Sequence, residues 1–258
     1  MTYREKKISN LHSFKFWDNY VKNIPIPCDK KTIWAENYTK LSILLIEPRK
    51  HEWLEGTLYN LAHIYGGTDT QLYIFYGNEN YEYLNNIIKD WKNVKLFSLK
   101  SLGYTTDLQP HPLQHSTLCC DVNLWKKINS DYVLTFTTTS FLRRKVDDIF
   151  FEYSFIGAPW KNVDEDKCVG NGGFSLRNIK DMIEVCKEIK YDIEYNTRKV
   201  LEDTLINEKL RVNKKKIPSK DIASQFSVET IFNDNPVGCH APSRYFEVKL
   251  LEKLTIEF

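Results

Sequence analysis

Glycine is scarce in this chain, at ten of 258 residues, and methionine is scarcer still, at two. There is no G-x-G-x-x-G and no P-loop pattern, which argues against a dinucleotide dehydrogenase and a P-loop enzyme. None of the six cysteines (Cys28, Cys119, Cys120, Cys168, Cys186, Cys239) forms a C-x-x-C pair. Cys119 and Cys120 are adjacent, which suits neither a zinc knuckle nor a mutual disulfide, so reduced and partly buried thiols are expected. His12, His51, His63, His111 and His115 show no metal-ligand spacing such as H-E-x-x-H. No apolar run approaches the ~20 residues that span a bilayer. The start of the chain, MTYREKKISNLHSFKFW, lacks the apolar centre of a secretory signal. A soluble, cytoplasmic protein without a membrane span is therefore expected, and the glycosylation sequon at Asn37 carries little weight. Neither charge sign is in excess: the formal net charge is +2, which excludes a general electrostatic hold on nucleic acid. The local basic stretches Tyr3 to Lys7 and Arg211 to Lys220 read as a solvated arm and a solvated loop. No internal repeat or low-complexity tract is present.

What the chain has is an ordinary globular balance, 42% apolar and 27% charged residues, with a high aromatic share of 14%. Most of those rings belong in a core; the excess also suits a carbohydrate or nucleotide ligand. Its richness in Lys, Ile, Asn and Tyr fits an AT-rich genome such as that of a large virus or a protist; a viral origin would place the protein in a host cytoplasm. Regular patterning begins at LSILLIE (Leu41 to Glu47), a β-branched run bounded by Pro48 that reads as a buried strand. Trp53, Leu54, Leu58, Leu61, Ala62 and Tyr65 follow at helical spacing, stopped by Gly66-Gly67. TQLYIFYG, ENYEYLNNIIKDW and VKLFSL then read as strand, helix and strand. This alternation predicts an α/β fold with a Rossmann-like, mostly parallel central sheet and ligands at the carboxyl ends of its strands. HSTLCCDVNLWKKI reads as one further helix with Leu118, Val122 and Trp125 on its apolar face. SDYVLTFTTTS reads as a fourth strand, YSFIGAPW as a short strand broken by Pro159, and FSVETIF as a late one. IKDMIEVCKEI and EDTLINEKLRV read as helices.

Three stretches suit chemistry. VGNGGFSLR (Val169 to Arg177) concentrates three of the ten glycines in nine residues; it serves either close backbone approach to a ligand or a tight hairpin turn. Arg177 at its end suits an anion or carboxylate. In LEDTLINEKL, Asp203 is placed as the N-cap of a helix starting at Thr204, with Glu202 just outside it. One of these two carboxylates also suits the general base that removes a proton from an attacking hydroxyl. In NPVGCHAP, His240 lies in a loop between prolines, where it suits a metal, a phosphate or a backbone bond.

Taken in order, FIGAPW, VGNGGFSLR, EDTLIN, FSVET and PVGCHAP resemble a family of GT-A-type glycosyltransferases long known only as a domain of unknown function. The resemblance runs from about Leu41 to Pro242. It implies a GT-A-like domain over residues 41–258, with a nucleotide-sugar half at 41–145 and an acceptor and catalytic half at 146–258, after an N-terminal extension of residues 1–40. It implies a nucleotide-sugar donor, with UDP the default carrier, and a glycan or protein hydroxyl as acceptor. It places the donor near Glu47, Arg49, Thr138, Thr139, Ser140, Asn171, Gly172, Gly173 and Arg177, and the acceptor near Trp160. It makes Asp203, with Glu202, the base of an inverting transfer, and His240 a ligand of metal or pyrophosphate. Similar sequences end the fourth strand on a pattern like F-Q-T-D-S, whose aspartate holds Mn²⁺ or Mg²⁺. Here the stretch is Phe136-Thr137-Thr138-Thr139-Ser140, and a Thr139 hydroxyl is a poor ligand for a hard cation. The expectation is a glycosyltransferase with weak or absent metal dependence; the alternative is a degenerate relative that binds nucleotide or carbohydrate without transfer. A nucleotidyltransferase is disfavoured, because it needs metal carboxylates and a glycine-rich signature near the first strand.

Overall fold

The computed structural model describes residues 3–104, 112–164 and 170–258. Val169, Cys168 and His111 lie outside the described residues. The chain opens with helix α1 (Tyr3–Lys22) and then alternates β1 (Thr39–Glu47), α2 (Leu54–Tyr65), β2 (Thr70–Tyr76), α3 (Tyr81–Ile88) and β3 (Lys95–Ser98). Helices α4 (Pro112–Cys120) and α5 (Val122–Trp125) lead to β4 (Ser130–Phe136), β5 (Ser140–Leu142), β6 (Phe155–Gly157) and β7 (Phe174–Asn178). The remainder is α6 (Ile179–Cys186), α7 (Tyr191–Arg198), α8 (Glu202–Val212), α9 (Lys220–Phe226), β8 (Ser227–Val228), β9 (Gly238–His240) and α10 (Val248–Leu251).

The expected mostly parallel sheet is present: six strands in the order β3-β2-β1-β4-β7-β6, with β3, β2, β1 and β4 parallel and β7 antiparallel to β4 and to β6. β1 is central and buried on both faces, which is why it reads as a continuous apolar run rather than an alternating one. Its pleat sends Leu41, Ile43 and Leu45 into a core roofed by Leu54, Leu58 and Leu61 of α2. Leu44 and Ile46 point the other way, into a second core with Leu118, Trp125, Met182, Val185, Leu205 and Ile206.

The connection from β1 through α2 goes to β2 on one side, whereas β4 joins β1 on the other. The carboxyl ends of β1 and β4 therefore flank a topological switch point, where sheets of this kind open a crevice for ligands. A second sheet of three short strands, in the order β5-β9-β8, stands beside that crevice. Trp17, Val21 and Ile24, at i, i+4 and i+7, pack with Phe141, Val228, Cys239, Leu251 and Leu254, so the start and end of the chain cover this small sheet.

Several local expectations change. The single helix expected over HSTLCCDVNLWKKI is broken at Asp121, whose extended backbone and side chain, accepting from Asn123 N at 2.8 Å, restart the chain as α5. The fourth strand stops at Phe136, and Ser140 belongs to β5 in the other sheet. FSVETIF yields only the two-residue strand β8. Helix α8 begins at Glu202 with Leu201 as its N-cap, so Asp203 lies in the first turn and Glu202 inside the helix. His240 is on β9, paired with Ser140, rather than in a loop. The five described cysteines are free thiols, four of them buried. Among the described residues no helix is long and apolar enough to cross a membrane.

Candidate active site

β1 ends on Glu47, a buried carboxylate that is fully engaged. Arg49 donates to it through Nε (2.8 Å to Oε1) and Nη2 (2.9 Å to Oε2), and Thr138 Oγ1 donates to Oε2 at 3.0 Å. The rest of the Arg49 guanidinium is open to the crevice. Beyond β4 the hydroxyls bond one another: Thr137 Oγ1 lies 3.1 Å from Thr139 Oγ1 and 3.0 Å from Ser140 Oγ, which donates to Gly173 O at 2.8 Å. The row of hydroxyls thus ties the end of the sheet to the glycine turn. It does not fit a hard divalent cation. No carboxylate stands among Thr137, Thr138 and Thr139, and Glu47 beside them is already held by a guanidinium.

Asn171 builds the turn, its Oδ1 accepting from Gly173 N at 2.9 Å and Phe174 N at 3.1 Å. The next two residues need to be glycine because of close approach. A Cβ on Gly172 would lie 2.4 Å from Glu202 Oε1, and one on Gly173 would lie 2.4 Å from His240 Nε2. The glycine pair therefore brings two different functional groups against one stretch of backbone.

On the Gly172 side stand the two acids of α8. Asp203 accepts from Thr204 N at 2.7 Å and from Gly172 N at 3.2 Å. Its pKa is pushed up to about 7, by burial first and by the charge of Glu202 second; the Thr204 N–H, Arg177 and the Gly172 N–H pull in the opposite direction. Glu202 is buried and accepts from Ser116 Oγ. Arg177 is completely buried beneath this turn. Its Nη2 donates to Gly172 O at 3.2 Å, its Nε donates to Ser175 Oγ at 3.0 Å, and its guanidinium lies over the Phe155 and Trp125 rings. It does not line the crevice, so it acts as a cation beneath the acids rather than as a contact to a donor phosphate.

On the Gly173 side stands His240, with Nδ1 3.0 Å from Glu229 Oε1 and 3.0 Å from Asn171 Nδ2. Glu229 also accepts from Trp160 Nε1 at 3.1 Å. Sequence reasoning gave Glu229 no role, although it sits within the FSVET stretch. It also passed over His115 and Ser116. The signal there was the i, i+4 pair His115 and Cys119 on α4, the same face of one helix.

His115, Cys119 and Glu202 place one metal-ligating atom each within 4.8 Å of one another. The donor types suit zinc. The ring does not: Nδ1 and Nε2 lie 3.7 and 3.8 Å from Cys119 Sγ. Near-equal distances mean that neither in-plane lone pair is aimed toward the sulfur, so the ring must turn before a metal fits.

Most of these groups line one crevice of about 770 Å³. It collects Glu47, Arg49, Thr138, Thr139, Trp160, Asn171, Gly172, Gly173, Glu202, Asp203 and His240, adds His51, His115, Ser116, Glu229 and Arg244, and leaves out Ser140 and Arg177. Its size is that of a small-molecule or cofactor site.

The family model described as "Protein of unknown function (DUF5672)" matches residues 104–240, more than half of the chain. The chain belongs to the DUF5672 family. That match spans α4, the glycine turn, both acids, Glu229 and His240, so most of the crevice is built from DUF5672 sequence. No curated protein matches the chain. Among solved structures it is similar to the galactosyltransferase LgtC in complex with donor and acceptor sugar analogues. The identity is 11%, with 66% of this chain and 70% of that chain covered and a TM-score of 0.47.

Proposed function

We propose that this DUF5672 protein is a glycosyltransferase that moves a sugar from a nucleotide-diphosphate donor, UDP by default, to a hydroxyl acceptor with inversion. The observation that carries this proposal is the pairing, across Gly172-Gly173, of a carboxyl with a raised pKa and an imidazole in one crevice at the carboxyl ends of β1 and β4. Asp203 is the general base. A carboxyl with a pKa near working pH takes a proton from an acceptor hydroxyl more readily than an ordinary aspartate does. Glu202, buried and bonded to Ser116, raises that pKa and supports the base. Arg49, His240 and the exposed Arg244 are the groups available to an anionic leaving group, and Trp160 offers a ring to the acceptor.

The metal that GT-A-type enzymes use would find hydroxyls rather than carboxylates after β4, so no step is assigned to it. The same hydroxyls support a second reading, a protein that binds donor or glycan without transfer. The test is calorimetric binding and product analysis with a panel of nucleotide sugars, each in EDTA and in Mn²⁺. Transfer or donor hydrolysis in EDTA supports the proposal. Strict dependence on Mn²⁺ overturns metal independence, binding without turnover selects the second reading, and no binding in either buffer overturns both.

A further inference from the structure

The Glu229 carboxylate is only 6% exposed and receives three side chains. Oε1 lies 2.9 Å from Asn171 Nδ2 and 3.0 Å from His240 Nδ1, and Oε2 lies 3.1 Å from Trp160 Nε1. Asn171 Nδ2 and His240 Nδ1 are themselves 3.0 Å apart, so the position of one proton has to be decided between them.

The Asn171 amide decides it from its far end. Its Oδ1 accepts from two backbone N–H groups, at Gly173 and Phe174, which orients the amide and makes the nitrogen facing Glu229 a donor. Two arrangements remain for the ring. A bare Nδ1 accepting from Asn171 would turn its lone pair on a carboxylate oxygen 3.0 Å away, an uncompensated repulsion in a buried place. A protonated Nδ1 donates to that oxygen, and Glu229 then has three donors and no conflict. The choice of ring nitrogen is set by the bond the other nitrogen makes.

We propose that Glu229 is a positioning residue that holds His240 in its Nδ1–H form, the less common one for a free imidazole, and so presents Nε2 to the crevice at Gly173. In the neutral ring Nε2 is an acceptor. The tautomer rests on the hydrogen bonds alone.

The test is nitrogen-15 NMR of the histidine rings in the full chain, with the His240 signals assigned by their loss in His240→Gln. The expected result at alkaline pH is a protonated Nδ1 and a bare Nε2. In Glu229→Ala, Asn171 Nδ2 becomes the remaining partner of Nδ1, and the two ring-nitrogen positions are expected to exchange. Trp160→Phe removes another partner of Glu229 and is expected to leave the tautomer unchanged, which controls for general loosening. A wild-type ring protonated at Nε2 alone overturns the proposal even if the alanine variant does not fold.

Discussion

Asp203→Asn separates the chemistry of this carboxyl from its place in the fold. The folded pKa of about 7 stands against an ordinary 3.8. A raised carboxyl pKa means that the folded state holds the proton more tightly than the unfolded chain. Its stabilising contribution is therefore complete below 3.8 and is lost as pH rises through about 7. The difference between those limits corresponds to roughly 4 kcal/mol at most. Asparagine carries no charge, so that slope disappears in the variant. Its oxygen still accepts from Thr204 N, but its NH₂ then meets Gly172 N–H, a lost bond worth about 1–3 kcal/mol. The expected outcome at pH 8 is a variant about 1–3 kcal/mol more stable than wild type, and at pH 5 a variant within about 1 kcal/mol of wild type. Urea unfolding at both pH values measures this. Transfer activity should fall by about 10²–10⁴, the usual worth of a general base. An unfolding difference that does not change with pH refutes the raised pKa, and an active variant refutes the base.

Other consequences are as direct. The kcat/KM of the wild-type protein should rise with pH to a plateau with a midpoint near 7, as Asp203 loses its proton; a profile flat between pH 5 and 8 contradicts the assignment. Gly172→Ala places a methyl 2.4 Å from Glu202 Oε1 and should cost roughly 1–3 kcal/mol on thermal or urea unfolding along with activity. Arg177→Met removes the donors to Gly172 O and Ser175 Oγ and the cation that lowers the Asp203 pKa, and should destabilise by about 1–3 kcal/mol, less at pH 5, where Asp203 is neutral, than at pH 8; an equal loss at both pH values contradicts the charge coupling. Thr139→Asp introduces an acid after β4, and Mn²⁺ should then strengthen donor binding in calorimetry; an unchanged metal response contradicts the role proposed for this position.

How far the site was legible depended on whether its partners were near in sequence. β1, α2 and β2 were readable because their apolar periodicity is itself the cause of their burial. The glycine turn stood out because glycine is rare in this chain. Asp203 as a helix cap was a sound local inference that failed by two positions, because tertiary contact to Gly172 and Ser116 lets Glu202 enter the helix. Arg177 looked like a ligand contact because its charge was visible and its burial was not. Glu229 carried no local mark: its partners Trp160, Asn171 and His240 lie 69, 58 and 11 residues away.

The sequence alone determined the alternation of strands and helices, the absence of a nucleotide-binding glycine motif, and the run of hydroxyls from Thr137 to Ser140 that follows the fourth strand. Only the tertiary structure decided which charges meet. It set Arg177 under the Gly172 turn where its charge reaches Asp203, closed Glu47 with Arg49 and Thr138, and set the His240 ring against Glu229. The physical reason is range: hydrophobic periodicity acts over one or two turns of chain, whereas a buried charge takes its state from whichever groups the finished fold brings within a few ångströms.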